Sequence, residues 1–488
     1  MRPDRAANSR VSLSFHVWAL WVAFAAVALS ATKADPDLWG HVRFGLDLWR
    51  AGGLSSVDPY SFTQDRPWIN HEWLSEAFMA AAYSAGRSPG LGLLKVLVLT
   101  PALLVLARRL QGASLVIRVS TLSLAIACVL PITLTVRPQL WSIAGLTALI
   151  PLIDSDQPPR RWQIIGTAAL FAAWANFHGG WITGAAVLCV YAFVRVLRDA
   201  RHMLRWTALV TSSLGATLVN PYGIGLWQFL GSTVRPHRAD IGEWLPLTWS
   251  DPVSSWVPVV AISTLAVALT ARAATRPRAE VGAVLLLLLA GSVRVNRVAP
   301  LMVFPALALL GRSLRLLWTT AKPVSVPTLG GAAVLFAPVV VALVAAAGIS
   351  ARALECFPIR DGWAPDRKAA AHLQGLSGRL LTTFDWGQYA IWHFGPALRV
   401  SIDGRRETVY SDTVVQGHLA FERGERDGQT MVAALSPDYA WLRSSSARKW
   451  LEANGYRVDI ETESSFIAVR RDRPAIATST DPLPACFP

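Results

Sequence analysis

The chain has 488 residues, of which 53% are hydrophobic and only 16% are charged, whereas soluble domains carry about 25% charged residues. Its net charge of +14 does not indicate nucleic-acid binding, because the arginines form short clusters between apolar runs and not one basic patch. Charges are sparse from residue 11 to residue 348 and frequent afterwards. This change predicts a membrane domain over residues 1–348 and a soluble domain over residues 349–488.

The first apolar run, Val11 to Ala31, follows Arg2, Arg5 and Arg10. Its composition is that of a signal peptide, but its length suits a membrane span, and no convincing small-residue cleavage site precedes Asp35. We therefore interpret the run as a retained first helix.

Eleven segments are apolar enough to be read as spans of a bilayer core of about 30 Å, which needs roughly 20 apolar residues in a helix. An α-helical polytopic membrane protein is therefore predicted. The predicted spans are residues 13–31, 90–107, 119–134, 139–153, 163–177, 181–194, 206–219, 256–271, 281–292, 298–310 and 326–348.

Arginine clusters alternate with arginine-poor connections along these spans. The positive-inside rule places the clusters in the cytoplasm together with the N-terminus. An odd number of spans then puts the C-terminal domain on the opposite, extracytoplasmic side. The apolar segment 73–86 is short and carries Glu76, so we interpret it as an interfacial helix. If it were a span, every later assignment would invert.

Polar residues gather at the predicted outer ends of the spans, where such groups are costly and usually functional. Three arginines among them break the positive-inside pattern: Arg137, Arg294 and Arg297. A guanidinium grips a phosphate with a planar fork of donors, so we predict that these three bind a lipid phosphate. Asn and Gly also simply end helices. Three further residues at span ends are candidate pocket residues: His178, Asn220 and Tyr222.

The first outer loop, residues 33–89, opens with a predicted helix start. Asp35 suits the N-cap and Pro36 the first helical position. Asp37 and His41 are four residues apart and share a helix face. Asp37 can merely complement the helix dipole, but the other chemical groups in this loop favour a catalytic role.

These other groups are Asn70, His71 and Glu72, at the start of the next predicted helix. Two short helices with acidic and histidine side chains at their near ends predict a small acidic pocket above the bilayer. Asp37, His71 and Glu72, with His41, can hold a divalent cation such as Mg or Mn. They can equally be a base with hydrogen-bonding neighbours, and the residue types do not decide between the two.

The C-terminal domain is predicted to be a small α/β domain, with strands at 379–384, 398–402, 439–442, 456–461 and 466–470 and helices at 386–394 and 445–454. Asp385 follows a strand, where open sheets place ligands, and is a candidate pocket residue or a helix cap. Cys356 and Cys486 bracket the domain. A disulfide and two free thiols both fit these two cysteines.

The predicted architecture resembles the GT-C membrane glycosyltransferases, which include protein O-mannosyltransferases, lipid A aminoarabinose transferase and the catalytic subunit of oligosaccharyltransferase. Motifs of the membrane domain resemble a bacterial branch of largely unassigned substrate: Asp35-Pro36-Asp37-Leu38-Trp39-Gly40-His41, His71-Glu72-Trp73 and Asn220-Pro221-Tyr222-Gly223. Motifs of the C-terminal domain resemble the same branch: Phe384-Asp385-Trp386-Gly387-Gln388-Tyr389 and Arg399-Val400-Ser401-Ile402-Asp403-Gly404-Arg405. The first of these is loosely similar to the Trp-Trp-Asp-x-Gly region of oligosaccharyltransferase. Thr383-Phe384 replaces the tryptophan pair, so peptide recognition is not carried over.

The resemblance implies an inverting, hexosyltransferase-type enzyme of the bacterial inner membrane. It would move a sugar from a polyprenyl-phosphate donor to a glycan, lipid or protein acceptor. In the superfamily an acidic residue early in the first outer loop is the base, which implies Asp37, with Asp35 in reserve and His41 orienting. Two alternatives remain: a non-catalytic lipid-binding or assembly partner of the same fold, and a transporter. A transporter predicts internal repeats and mid-membrane charges, and the sequence has no clear repeat.

Overall fold

The computed structural model describes residues 4–233, 244–317, 332–359, 362–443, 445–477 and 481–488. The chain forms two compact units. Unit 1 comprises Met1–Thr32 and Gly92–Glu355, and unit 2 comprises Lys33–Leu91 and Cys356–Pro488. The helices of the first part of the chain are α1 (Asp4–Ser30), α2 (Pro36–Ala51), α3 (Trp73–Arg109), α4 (Leu115–Thr133), α5 (Gln139–Ile153), α6 (Arg161–Phe177), α7 (Trp181–Arg198), α8 (Met203–Ala216), α9 (Ile224–Thr233), α10 (Val253–Thr270), α11 (Ala279–Arg294), α12 (Val298–Leu317) and α13 (Ala332–Glu355).

Each of the eleven predicted spans coincides with a helix, and α5 has the predicted bounds. The predicted start of the last span, residues 326–331, lies outside the described residues. Among the described helices, α3, α4, α7, α12 and α13 are long and apolar enough to cross a membrane by length and composition. Others are shorter, and the 15 residues of α5 rise only about 22 Å at 1.5 Å per residue. The prediction of a multi-pass α-helical membrane protein is confirmed.

Two helices depart from the sequence prediction. Helix α3 contains non-helical residues at Gly86 and Arg87, so the predicted interfacial segment and the predicted second span are separate helical segments on either side of a kink. Helix α9 lies within the predicted connection 220–255. It follows a turn in which Gly223 has φ +51°, a left-handed conformation that glycine adopts without strain.

Buried ion pairs join the arginines that were predicted to lie in the cytoplasm. Glu280, whose side chain is fully buried, pairs with Arg195 at 3.1 Å and with Arg198 at 2.8 Å. Arg278 lies 3.7 Å from the same carboxylate and also pairs with Asp154. Because these residues come from α7, α11 and the end of α5, one end of unit 1 gathers arginine clusters that are far apart in the sequence. This grouping is what the alternating charge pattern predicts.

The C-terminal part of the chain, in unit 2, contains the strands and helices β1 (Phe357–Pro358), α14 (Arg367–Ala371), β2 (Gly378–Thr382), α15 (Gly387–Phe394), β3 (Leu398–Val400), α16 (Asp412–Glu422), α17 (Arg426–Leu435), β4 (Tyr439–Leu442), α18 (Ser445–Ala453), β5 (Tyr456–Glu461), β6 (Phe466–Arg470) and β7 (Cys486–Phe487). Five of the strands form a mixed sheet in the order β3-β2-β4-β6-β5, in which β2 runs parallel to β3 and β4 while β6 is antiparallel to both of its neighbours. The prediction of an α/β domain is confirmed, although α16 and α17 were not predicted.

The first loop, residues 33–91, packs as part of unit 2, whereas the sequence analysis grouped it with the membrane domain. The reason is a backbone pairing along the outer edge of β3. The N–H of Phe62 donates to the carbonyl of Val400 at 3.1 Å, and the N–H of Val400 donates to the carbonyl of Tyr60 at 2.9 Å. This pairing uses hydrogen-bonding groups that would otherwise be open at the sheet edge.

A buried arginine fastens the loop further. Arg405 donates from Nη1 and Nη2 to the two carboxylate oxygens of Asp58, at 2.7 and 2.8 Å. It also donates from Nε to Asp403 at 2.9 Å, and Tyr410 donates to the same carboxylate at 2.6 Å. Burial raises the pKa of Asp403, but the charge of Arg405 and these hydrogen bonds outweigh burial and hold it below its usual value. We name these four residues the Arg405 cluster.

Cys356 and Cys486 form a disulfide, with their Cα atoms 5.7 Å apart, beside the antiparallel pair of β1 and β7. The sequence alone did not decide between this bond and two free thiols.

We expect denatured, unreduced protein to show only the two thiols of Cys128 and Cys189 in a thiol titration, and four thiols after reduction. Four thiols before reduction would contradict the bond. Reduction should also lower the free energy of unfolding of unit 2 by about 2–5 kcal/mol.

Candidate functional site

The motif from Asp35 to His41 forms the first turns of α2. Asp35 is the N-cap: its Oδ1 accepts the N–H of Leu38 at 2.9 Å, and only 2% of the residue is exposed. Pro36 follows as the first helical residue, where a missing N–H costs nothing. Asp35 therefore has a capping role, which leaves Asp37 as the candidate base.

Trp39 fixes the orientation of α2 within unit 2. The residue is fully buried, and its ring centroid lies 4.6 Å from that of Phe487, 5.0 Å from Tyr389 and 5.3 Å from His393. A buried tryptophan contributes a large apolar area and edge-to-face ring contacts. Since Asp37 lies two residues earlier on the same helix, these contacts also fix where its backbone stands.

The half-buried Asp37 lies against the C-terminal motifs. A Cβ placed on Gly404 would fall 2.3 Å from Asp37 Oδ1 and 2.9 Å from Gln388 Nε2. A Cβ placed on Gly40 would fall 2.1 Å from Gln388 Oε1. The two glycines therefore leave room for one carboxylate and one amide, which meet beside Gly404.

His41 lies on the adjacent turn and joins α2 to the start of α3. Its Nδ1 is 3.0 Å from Glu76 Oε1, and the side-chain amide of Asn70 donates to Glu76 Oε2 at 2.5 Å. Burial lowers the pKa of His41, but the Glu76 hydrogen bond and the charges of Glu72, Glu76 and Asp37 outweigh it and raise the pKa to about 9. The imidazole is therefore charged at neutral pH and offsets part of the negative charge of the surrounding carboxylates.

This pair makes stability depend on pH in a defined direction. Because the pKa of His41 rises from 6.5 when unfolded to about 9 when folded, its full stabilisation is present below about pH 6.5 and is lost as the pH rises through 9. A shift of this size corresponds to about 3 kcal/mol. We expect the melting temperature of the wild type to fall more between about pH 7 and 9.5 than that of His41→Gln. Parallel curves for the two proteins would contradict the charged pair.

His71 and Glu72, two of the predicted cation ligands, lie beside each other. His71 Nε2 lies 3.7 Å from Glu72 Oε1, so this pair is an ion pair when the histidine is protonated. Over the parts of the chain that the structure describes, no three His, Cys, Asp or Glu side chains are arranged to hold a metal ion. Whether Asp37, His71 and Glu72 hold a cation or act as a base with charged and hydrogen-bonding neighbours remains a prediction.

Asp385 lies in a single 3-10 turn after β2, and α15 begins at Gly387 with Trp386 as its N-cap. Asp385 is therefore not the cap of that helix. Burial raises the pKa of Asp385, and Arg443 partly offsets this. Burial together with the charge of Asp385 raises the pKa of Glu422 to about 7. The charge of Asp385, after β2, thus acts on Glu422 at the end of α16.

The predicted phosphate-binding arginines lie in unit 1. Arg294 is exposed in the last turn of α11, and the guanidinium of Arg297 lies 5.5 Å from the ring centroid of Trp244. Two backbone hydrogen bonds, of 2.9 and 3.1 Å, tie the α11–α12 connection to residues 245–247. Arg294 and Arg297 thus share a short, tethered connection, while Arg137 is partly buried after α4.

His178 belongs to a buried chain of hydrogen bonds in unit 1. Trp174 Nε1 donates to Ser142 Oγ at 3.0 Å, and Ser142 Oγ lies 2.6 Å from His178 Nδ1, which also accepts the N–H of Gly180 at 3.0 Å. Since Nδ1 accepts, the serine hydroxyl donates and the ring proton resides on Nε2. This chain gives His178 a structural role at the ends of α5 and α6.

Asn220 and Tyr222 have a local role in the turn before α9. Asn220 Oδ1 accepts the N–H of Tyr222 at 2.8 Å, and its amide donates to the carbonyl of Thr217 at 2.7 Å. These bonds form the turn between α8 and α9, and asparagine is common at such turn positions. That His178, Asn220 and Tyr222 line a substrate pocket remains a prediction.

Sequence reasoning missed Lys95, which is 99% buried within α3. Its Nζ donates to Thr32 Oγ1 at 2.6 Å and to the carbonyls of Thr133 and Ala31 at 2.8 and 3.1 Å. Three such acceptors satisfy all of its donors. The sequence signal that could have identified this residue is a single lysine inside an apolar run.

Gln388 and Gly404, which lie beside Asp37, were also missed, although both lie in motifs that carried the family resemblance.

No family model and no curated protein matches the sequence. Two solved structures share its fold over nearly the whole chain. ArnT from Cupriavidus metallidurans bound to undecaprenyl phosphate has a TM-score of 0.52 and 10% identity, over 96% of this chain and 98% of that chain. The apo state of the same protein gives 0.51 and 14%, over 95% and 98%. ArnT is a GT-C glycosyltransferase, so this chain has the GT-C fold that the resemblance implied.

Proposed function

We propose that the protein is a membrane glycosyltransferase that takes a sugar from a polyprenyl-phosphate donor and transfers it to an envelope acceptor. The observation that carries the proposal is the fold shared over 96% of the chain with a structure that holds undecaprenyl phosphate. The grouping of Asp37 with a charged His41 and two further carboxylates adds a chemical site to that fold.

Asp37 is the proposed base. It accepts the proton of an acceptor hydroxyl while the oxygen attacks the anomeric carbon of the sugar. The bond between that carbon and the phosphate oxygen breaks, and its electron pair leaves with the phosphate. Because the attack comes from the face opposite the leaving phosphate, the configuration at the anomeric carbon inverts. The imidazolium of His41 offsets part of the negative charge of the carboxylates, and because it is already protonated at neutral pH it is not the base itself.

The departing polyprenyl phosphate gains negative charge, which needs nearby cations. Arg294 and Arg297 are the proposed partners, with Arg137 in addition. We place these arginines and unit 2 on the extracytoplasmic side of the inner membrane, with the N-terminus in the cytoplasm. The charge alternation supports this placement, and so does the Cys356–Cys486 disulfide, since such bonds persist in oxidising compartments.

The test is a comparison of envelope glycans between a deletion strain and its parent, by mass spectrometry. We expect one glycan, glycolipid or glycoprotein to lose a single sugar, and the wild-type gene to restore it. Identical glycans would contradict the proposal. Polyprenyl phosphate that binds to the purified protein without any turnover would instead favour the non-catalytic partner.

A further inference from the structure

The C-terminal domain carries two motifs that the reaction does not use directly, Asp385-Trp386-Gly387-Gln388 and Asp403-Gly404-Arg405. Both end on α2. Gln388 begins α15 and reaches Gly40, while Gly404 follows β3 and touches Asp37. All of these residues belong to unit 2. The motifs therefore meet the acid-bearing helix.

Gln388 is 97% buried, and its Oε1 has no hydrogen-bond partner among the described residues. Its Nε2 and Asp37 Oδ1 both lie within 3 Å of the empty Cβ position of Gly404, so the amide and the carboxylate are neighbours there. A donor group next to a carboxylate favours the ionised form and restricts its rotation.

Gly404 contributes in a different way. Its φ lies outside the left-handed range, so glycine is not needed there for backbone conformation. The space that a Cβ would occupy is taken by the carboxylate of Asp37. A larger residue would push that carboxylate aside, and because the carboxylate is a rotatable group, the displacement costs little stability.

We infer that Gln388 and Gly404 are positioning residues for Asp37, so that the C-terminal domain completes the acid's site and does not recognise substrate through these motifs. The inference rests on the proposed role of Asp37 as the base, but the contacts of Gln388 and Gly404 do not depend on that role. The protonation of Asp37 can therefore be followed without any knowledge of the sugar or the acceptor.

The experiment measures the pH at which a carbodiimide labels half of Asp37 in the purified full-length protein, by peptide mass spectrometry. A carbodiimide reacts with the protonated carboxyl, so the labelling midpoint follows the pKa. Gln388→Glu places a second carboxylate beside Asp37 and should raise the midpoint by roughly one pH unit. The matched control is Gln374→Glu, an exposed glutamine of the same domain, which should leave the midpoint unchanged.

Gly404→Ala is the second variant. It should change the labelling of Asp37 while the melting temperature stays near the wild-type value, and it should fail to restore glycans in the deletion strain. Equal midpoints for wild type, Gln388→Glu and Gln374→Glu would overturn the inference. A shifted midpoint in a protein whose deletion leaves glycans unchanged would support the positioning contacts and contradict only the proposed transferase.

Discussion

Asp37→Asn is expected to lower sugar transfer by roughly 100- to 10,000-fold, the usual contribution of a positioned base. An amide has nearly the same shape but cannot accept the acceptor's proton. Trp39 and the Asp35 cap hold α2 independently of residue 37, so the variant should fold and still bind polyprenyl phosphate. The measurement is restoration of the missing glycan in the deletion strain, together with the melting temperature of each purified variant.

Asp35→Asn is the matched control, because it makes the same chemical change two residues earlier. Asparagine caps a helix about as well as aspartate, so this variant should keep both its stability and its activity. Asp35→Ala should lose about 1 kcal/mol of stability with the cap and retain activity in proportion to the folded protein. Full activity in Asp37→Asn would remove Asp37 from the mechanism, and lost activity in stable Asp35→Asn would move the base to Asp35.

Arg405→Met is expected to have the largest effect on stability. It removes the one cation between Asp58 and Asp403, whose carboxylates are fully buried, and leaves two uncompensated charges. Breaking a buried ion pair on one side typically costs 3–5 kcal/mol, so about that loss is expected here. The guanidinium also lies 4.9 Å from the Phe44 ring and 5.0 Å from the Trp68 ring, so its loss also loosens the first loop.

Arg423→Met provides the control. Arg423 pairs with Glu425, and about half of each side chain is exposed, so the change should stay within about 1 kcal/mol. Thermal unfolding of both full-length variants, with limited proteolysis of the first loop, measures the difference. If Arg405→Met melts with the wild type and its loop stays protected, the Arg405 cluster does not hold the loop in place.

Much of the fold follows from local sequence patterns. Each of the eleven spans is one apolar run, and β4, β5 and β6 have the predicted bounds because alternating or apolar segments bounded by turn residues identify strands. The helices α16 and α17 were not predicted, since their polar surfaces leave few apolar positions. The membership of the first loop in unit 2 was not predictable either. It depends on the pairing of Tyr60 and Phe62 with Val400, across more than 300 residues.

The candidate site divides in the same way, into residues that local sequence patterns group and residues that meet only in the folded chain. Asp37 and His41 were grouped by their spacing on one helix, and Glu72 was added because it lies at the start of the next helix of the same loop. The capping hydrogen bond of Asp35 agrees with the N-cap position that the sequence predicted. Gln388 and Gly404 reach Asp37 only through the folded C-terminal domain, so no local pattern links them to it. The link between Asp37 and the arginines of unit 1 remains a prediction of the charge pattern.

The most direct test uses purified protein and a detergent-solubilised envelope fraction from the deletion strain, which should contain both the unused polyprenyl-phosphate sugar and the unmodified acceptor. Mass spectrometry measures the release of free polyprenyl phosphate with time. We predict release with the wild type, and almost none with Asp37→Asn. Equal release from the two proteins, or none from either in a fraction that demonstrably holds the donor and the acceptor, would contradict transfer by an Asp37-based site.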